Sequence, residues 1–279
     1  MITRFAPSPT GPLHLGHAYS ALTVWGVAQR HAGTALLRIE DTDRARAKPI
    51  FENGIYDDLR WLGLEWPAPV RRQSDHLADY EAVLATLGAR GLLYPCSCSR
   101  RDIVNAGAKS GAEGLVYPGT CRKRSMDSAN PGDAIRLNIA TGLDQLGPLR
   151  SFVERGSGLP VKHQISPAFL RDSFGDPVLK RKDSGDIAYH LACVHDDALQ
   201  NITHVVRGMD LWALTPFQVF LQQLMGWETP QYLHHALITD ADGKRLAKID
   251  RSRALSKYRS EGASPNDIRE MINLPLSSC

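Results

Sequence analysis

The sequence predicts an α/β protein built on a parallel sheet of the nucleotide-binding type. Its first third reads as a strand at 2–5, a helix at 17–31 and a second strand at 35–39. Strand, helix and strand in about forty residues form a βαβ unit, which places both strands parallel in one sheet. Residues 94–132 then lose periodicity and gain Cys, Gly, Pro and Ser, as expected of a small insertion. A helical stretch at 214–225, opened by Thr-Pro, indicates that the core resumes afterwards.

The remaining elements follow from shorter patterns. The first helix is expected to be largely buried, because apolar residues occupy most of its circumference. Further helices are predicted at 50–62 and 74–88, and strands at 134–139, 177–179 and 236–238.

Composition narrows the class of protein. The chain has 279 residues, of which 43% are hydrophobic and 23% charged, so disorder, collagen and coiled coil are excluded. Its apolar stretches are too short for a membrane span and no signal peptide is evident, so we expect a cytoplasmic protein. The net charge of +3 is a weak indication of an anionic partner such as RNA. Five cysteines, an odd number, argue against a disulfide framework.

The segment 6–17 has the features of a phosphate-binding loop. Three prolines stiffen it, and two glycines allow the backbone to approach a ligand closely. The helix N-terminus that follows favours anions. His14 and His17, three residues apart, can donate hydrogen bonds to phosphate oxygens that become more negative during reaction. The alternative is a pair of capping or core histidines.

Five segments together resemble one enzyme family. The string HLGH at 14–17 resembles the HIGH motif of class I aminoacyl-tRNA synthetases. The strings RFAPSPTG at 4–11 and RIEDTD at 38–43 resemble the glutamyl branch of that family, and AYHLA at 188–192 and HVVRG at 204–208 are similar to its amino-acid-site segments. The resemblance implies a Rossmann-type core and extends over nearly the whole chain.

The resemblance also implies a glutamate site. A buried glutamate needs partners for two carboxylates and one ammonium. Arg4 and Arg207 suit the carboxylates, since a guanidinium can form paired hydrogen bonds with a carboxylate, and Glu40 suits the ammonium. We expect Arg4 to face the side-chain carboxylate and Arg207 the α-carboxylate, although the reverse assignment stays open. The full set is Arg4, Phe5, Ala6, Pro7, Ser8, Glu40, Tyr189 and Arg207. For Glu40, helix capping or ordinary surface acidity is the alternative.

ATP is expected to lie against His14, Gly16 and His17, with Mg²⁺ on its phosphates. The family's KMSKS loop aligns best with RLAK at 245–248, where Arg245 and Lys248 would neutralise phosphate charge. Arginine in place of the first lysine keeps the charge. Alanine in place of serine removes a hydroxyl that helps to position the loop. A surface cluster of basic residues is the alternative interpretation.

Three cysteines within the insertion indicate a metal site. Cys96, Cys98 and Cys121 supply three thiolates, whereas structural zinc takes four ligands. No histidine lies between Cys98 and Cys121, so the fourth ligand must be unusual. In a shortened relative of the glutamyl synthetases, C-x-C followed by Y-x-x-x-C binds zinc, and here that pattern adds Tyr117. One structural Zn²⁺ is therefore expected, with three reduced cysteines as the alternative.

The end of the sequence suggests which branch it resembles. Only 31 residues follow Lys248, so we expect no anticodon-binding domain. The resemblance then implies a stand-alone monomeric branch that activates L-glutamate with ATP, without needing tRNA. That branch esterifies glutamate to queuosine at the wobble position of tRNA(Asp), so the partner would be an anticodon stem-loop. The alternatives are a minimal enzyme charging the 3′ end of tRNA(Glu) and a non-catalytic RNA-binding paralogue.

These inferences divide the chain into four parts. Residues 1–93 form the first half of the catalytic core and 94–132 the cysteine-containing insertion. Residues 133–235 hold the rest of the insertion and the second half of the core. Residues 236–279 hold the KMSKS-like loop and a short helical C-terminal part.

Overall fold

The computed structural model describes residues 1–156, 158–238 and 253–273. Its strands are β1 (Ile2–Phe5), β2 (Thr34–Ile39), β3 (Arg71–Arg72), β4 (Leu93–Cys96), β5 (Ser110–Gly111), β6 (Gly114–Leu115), β7 (Ala134–Leu137), β8 (Ser151–Glu154), β9 (Val161–Gln164), β10 (Val178–Lys180), β11 (His204–Gly208) and β12 (Gln231–His235). Its α-helices are α1 (Leu15–Arg30), α2 (Pro49–Trp61), α3 (Leu77–Ala89), α4 (Arg100–Asn105), α5 (Ile139–Leu146), α6 (Pro167–Phe169), α7 (Tyr189–Leu199), α8 (Thr215–Met225), α9 (Leu255–Ser260) and α10 (Pro265–Met271).

Parallel strands form the centre of the protein. β1 pairs in parallel with β2, and β2 with β3, which confirms the predicted βαβ unit. On the other side of β1, the backbone N–H of Thr203 donates to the carbonyl of Ile2 at 2.9 Å, which brings β11 alongside. β11 pairs in parallel with β12 and β12 with β8, while β9 adds antiparallel to β8. The carboxyl ends of β1 and β11 therefore come close together.

Helix α1 crosses between the two first strands and is largely buried, as predicted. It begins at Leu15 rather than at residue 17, because the extended backbone and the ring of His14 cap its N-terminus. After its end, the N–H of Gly33 donates to the carbonyl of Ala28 at 2.8 Å. Leu22 and Val24 of α1 pack in one hydrophobic cluster with Leu37 of β2.

The insertion has a small antiparallel sheet of its own. β7 lies between β4 and β10 and pairs antiparallel with both. The strands predicted at 134–139 and 177–179 therefore belong to this sheet and lie outside the central one. A short β5–β6 hairpin and helix α4 fall between β4 and β7 in the chain.

The last described elements return to the beginning of the chain. The N–H of Leu255, at the start of α9, donates to the carbonyl of Leu13 at 2.8 Å. The strand predicted at 236–238 was misplaced, because β12 ends at His235. Among the described helices, none is both long and apolar enough to cross a bilayer.

Candidate active site

One cavity of about 420 Å³ opens where β1, β11 and the start of α1 meet. It brings together residues that are far apart in sequence, and every described residue of the predicted glutamate and ATP sets lines it. These are Arg4, Phe5, Ala6, Pro7, Ser8, His14, Gly16, His17, Glu40, Tyr189 and Arg207. Arg245 and Lys248 lie outside the described residues. Residues that the sequence did not single out, including Ser20, Asp210 and His235, complete the lining.

The two histidines at the start of α1 hold each other in place. The ring nitrogen Nδ1 of His14 accepts the N–H of Gly16 at 3.1 Å. Nδ1 of His17 in turn accepts the N–H of His14 at 3.2 Å, and the ring centroids are 3.9 Å apart. The predicted alternative of capping histidines is thus realised, and the same rings also line the cavity.

Both imidazoles are neutral donors at neutral pH. Because backbone N–H groups can only donate, each Nδ1 is unprotonated and each ring carries its proton on Nε2. Burial lowers the pKa of His14. Burial, together with the neighbouring His14, lowers the pKa of His17 to about 3. These rings can therefore offer N–H groups to an anion without themselves being cations.

Below the cavity floor, a buried ionic chain links Arg4 to Glu40. Asp197 accepts from Nε of Arg4 at 2.9 Å and from Nη1 of Arg38 at 2.8 Å. Arg38 in turn donates to Glu40 at 2.9 Å. Burial raises the pKa of Glu40, and the attraction of Arg38 opposes that shift. Arg4 and Glu40, which are predicted to hold opposite charges of glutamate, are thus connected through Asp197 and Arg38.

Helix α7 supplies one side of this arrangement. Tyr189, Cys193 and Asp197 are four residues apart, so they share one helix face. The Sγ atom of Cys193 lies 3.7 Å from Nη2 of both Arg4 and Arg38. Burial raises the pKa of this thiol to about 12, which keeps it neutral between the two cations. Cys279 lies outside the described residues.

Arg207 differs from Arg4 in the groups that accept its hydrogen bonds. Its guanidinium donates to neutral groups: Thr215 Oγ1 at 2.7 Å, Gln218 Oε1 at 2.7 Å, His234 Nε2 at 3.0 Å and the Leu211 carbonyl at 3.3 Å. No described carboxylate forms an ion pair with it. A buried cation without an acid partner is costly, so this side of the cavity favours an anionic ligand.

Tyr189 stands between two cavities. It lines the first one and also a second cavity of about 350 Å³, which includes Tyr117 and Arg136 of the insertion. Burial raises the pKa of the Tyr189 phenol, so its hydroxyl remains protonated and can donate. Tyr189 therefore borders both the first cavity and the cavity on the side of the insertion.

The three cysteines of the insertion lie together, as predicted. Cys96, Cys98 and Cys121 have their sulfur atoms within 4.8 Å of one another. The Cys98–Cys121 distance is 3.6 Å, and Oη of Tyr117 lies 3.4 Å from Cys96 and 3.5 Å from Cys98. The same phenol oxygen accepts the N–H of Cys121 at 2.8 Å. Three sulfur atoms and one oxygen thus form a compact four-atom cluster.

Comparison with known proteins gives the family. A model described as tRNA synthetases class I (E and Q), catalytic domain, matches residues 1–131 and 160–275. The chain is 51% identical over 283 residues to the glutamyl-Q tRNA(Asp) synthetase of Rhodobacter capsulatus, with 98% of this chain and 100% of that protein covered. The protein of the same name from Verminephrobacter eiseniae is 40% identical, with 92% and 85% covered. The chain belongs to the class I tRNA synthetases.

A solved structure supports the same conclusion. The glutamate tRNA ligase of Elizabethkingia meningosepticum, in complex with its amino acid, matches with a TM-score of 0.73 and 25% identity. The match covers 98% of this chain and 60% of that one. The predicted synthetase fold with a parallel sheet is thereby confirmed, and as a member of this family the protein is a ligase.

The motifs of a class I synthetase located the cavity, but they did not reveal its supports. Asp197 could have been found by its spacing from Tyr189, had α7 been predicted as a helix. Glu154, which lies 2.7 Å from His234, gave no local signal, because 80 residues separate the two in sequence.

Proposed function

We propose that this protein activates L-glutamate with ATP and transfers it to queuosine at the wobble position of tRNA(Asp). The observation that carries the proposal is the cavity, which joins a helix N-terminus with two neutral histidines to a buried arginine that has no acid partner among the described residues. The near-complete match to relatives named glutamyl-Q tRNA(Asp) synthetase supports the choice of glutamate and of tRNA(Asp).

The first reaction step joins the two small substrates. An oxygen of the glutamate α-carboxylate attacks the α-phosphorus of ATP, the bond to the β-phosphate oxygen breaks, and pyrophosphate leaves. Nε2–H groups of His14 and His17 donate to oxygens that gain negative charge in this step. Mg²⁺ bound to the phosphates would neutralise part of their charge. No protein nucleophile is needed, because positioning and electrostatics suffice.

The glutamate carboxylates fit the two arginines differently. Arg207 offers a positive charge that no described acid neutralises, whereas Asp197 already holds Arg4 through two hydrogen bonds. Glu40, with the Tyr189 hydroxyl, receives the ammonium group. Glutamine would leave a buried charge without its partner, so the site discriminates against it.

The loop containing Arg245 and Lys248 is proposed to contact the ATP phosphates. Two described residues flanking that loop support this: Ile238 lines the cavity, and Ala254 pairs with His14 as an isolated β-bridge. The described residues on both sides of this loop therefore lie beside the proposed phosphate site.

The second step uses the tRNA. A hydroxyl of the queuosine cyclopentene attacks the carbonyl of glutamyl-adenylate, forming an ester and releasing AMP. We propose that the anticodon stem-loop reaches this carbonyl from the side of the insertion, where the second cavity adjoins Tyr189. The protein would do this as a cytoplasmic monomer.

One Zn²⁺ is proposed for the cysteine cluster. With Zn–S bonds near 2.3 Å, tetrahedral ligands would be separated by roughly 3.5–3.8 Å. The observed separations of 3.4, 3.5 and 3.6 Å lie within about 0.1 Å of that range. Cys96, Cys98, Tyr117 and Cys121 would hold the ion, which would tie β4 to the loop after β6.

Two assays test the proposal. Glutamate-dependent exchange of pyrophosphate into ATP without tRNA should be positive, and a flat signal would exclude the activation step. Labelled glutamate should then pass to tRNA(Asp) containing queuosine but not to tRNA(Asp) lacking it. Transfer to tRNA(Glu), without regard to queuosine, would instead show the 3′-charging enzyme.

A further inference from the structure

Three neighbouring strands carry a buried row of polar side chains behind the cavity. Arg207 of β11 pairs in register with His234 of β12, and Glu154 of β8 lies on the other side of β12. Nε of Arg207 donates to Nε2 of His234 at 3.0 Å, and Nδ1 of His234 lies 2.7 Å from Oε2 of Glu154. All three side chains are buried. Of the three, only Arg207 lines the cavity.

The direction of each hydrogen bond in the row is fixed. A guanidinium can only donate, so Nε2 of His234 must accept and the ring proton must be on Nδ1. That proton is donated to Glu154. The other carboxylate oxygen, Oε1, accepts the N–H of His234 at 2.9 Å and the N–H of Gly156 at 2.7 Å. Glu154 therefore uses both oxygens as acceptors, for three donors in total.

The row determines how Arg207 is presented to the cavity. Thr215 and Gln218 hold the two terminal nitrogens of the guanidinium, and His234 holds Nε. The Nε contact fixes the rotation of the planar group, and it exists only while His234 presents a bare Nε2. That tautomer in turn requires an acceptor at Nδ1, which Glu154 supplies.

We propose that Glu154 and His234 are positioning residues that orient the guanidinium of Arg207 toward a carboxylate of the substrate. The inference rests on the proposed function, in which this cavity binds glutamate. It assigns a role in substrate recognition to two residues that do not touch the substrate.

The variant Glu154→Gln tests the row because an amide has one acceptor and one donor. If its NH₂ faces His234, the ring proton must move to Nε2, where it opposes the N–H of Arg207. If its NH₂ faces the backbone, it opposes the N–H groups of His234 and Gly156. In pyrophosphate exchange, we expect KM for glutamate to rise roughly tenfold to a hundredfold while KM for ATP stays unchanged. The matched control Glu228→Gln, at an exposed side chain, should behave as wild type.

A measurement on the wild-type protein covers the case in which Glu154→Gln does not fold. In ¹⁵N-histidine spectra, His234 should be protonated on Nδ1 only, and its Nε2 signal should shift when L-glutamate is added. The signal is assigned by its loss in His234→Gln. Protonation on Nε2, an unmoved signal or an unchanged KM in a folded Glu154→Gln would each overturn the inference. Absence of exchange in the wild type would instead count against the proposed function.

Discussion

At the scale of single residues, the phosphate loop depends on the close approach of His14 to Gly16. A Cβ added at Gly16 would lie 2.9 Å from Cε1 and 3.1 Å from Nδ1 of the His14 ring. The first distance is shorter than real Cβ contacts, so an added Cβ would push the His14 ring away from the position in which it accepts the N–H of residue 16. The motif therefore encodes a packing constraint as well as two imidazoles.

The variant Gly16→Ala should slow adenylate formation. Because the new methyl group displaces the His14 ring from the cap and from the cavity, we expect kcat of pyrophosphate exchange to fall about tenfold or more, with a smaller change in KM for glutamate. The matched control is Gly54→Ala in α2, where nothing lies within 4 Å of an added Cβ. That control should keep full activity and gain about 0.5–1 kcal/mol in unfolding free energy. Wild-type kcat in Gly16→Ala would contradict this account.

Single residues of the site could be predicted where short motifs contain them. His14, His17 and Glu40 each lie in a short sequence motif that indicates their chemistry without knowledge of the fold. The structure brings all three to one cavity. Their partners could not be predicted in this way. Arg4 and Asp197 are 193 positions apart, so only the folded sheet shows that they meet.

At the scale of elements, predictability followed the regularity of the pattern. The βαβ unit was predicted because one strand, one buried helix and a second strand follow each other within a short segment. Helix α7 was missed because Leu191, Ala192 and Val194 are buried alongside its polar residues, so its sequence shows no apolar stripe. The strands β7 and β10 were recognised as strands, but their membership of the small sheet depends on pairings with β4 that no local pattern reveals.

The cysteine cluster of the insertion leads to a prediction about zinc content. Cys98→Ser replaces a thiolate with a poor zinc ligand, so zinc measured by elemental analysis should fall from about one ion per chain to well below it. Tyr117→Phe should also lower the zinc content, because it removes the only oxygen of the proposed set. As a control, Cys279→Ser should retain the metal. Unchanged zinc in Cys98→Ser would leave the cluster as three reduced cysteines.

At the scale of the whole molecule, the last described helices fasten onto the first third of the chain. Arg259 of α9 lies 3.5 Å from Asp58 of α2 and donates to the carbonyl of Asp57 at 3.2 Å. Asp58 is only 2% exposed, and its Oδ1 accepts no hydrogen bond. Burial raises the pKa of Asp58 to about 6, although the charge of Arg259 opposes the shift. Burial of Asp58 therefore costs free energy when its carboxylate is ionised, and Arg259 offsets part of that cost.

The variant Asp58→Asn should make that cost measurable. Between pH 4 and 6 the folded state binds a proton that the unfolded state has released, so the contribution of Asp58 to stability is lost as pH rises through about 6. Asparagine has no such dependence. The free energy of unfolding of the variant minus that of the wild type should therefore be about 2 kcal/mol larger at pH 8 than at pH 4.5, as measured by urea denaturation. The exposed neighbour Asp57→Asn should show a much smaller difference, and equal pH profiles would refute the argument.

The position of Tyr189 as the common wall of both cavities has a thermodynamic consequence. If a ligand in one cavity requires this ring to move, its binding changes the binding free energy of a ligand in the other cavity. By reciprocity, an amino acid that tightens the fit of a nucleoside must itself be held more tightly by that nucleoside. Glutamate activation and transfer to the tRNA would then be thermodynamically coupled through one phenol ring, with no long-range rearrangement of the fold.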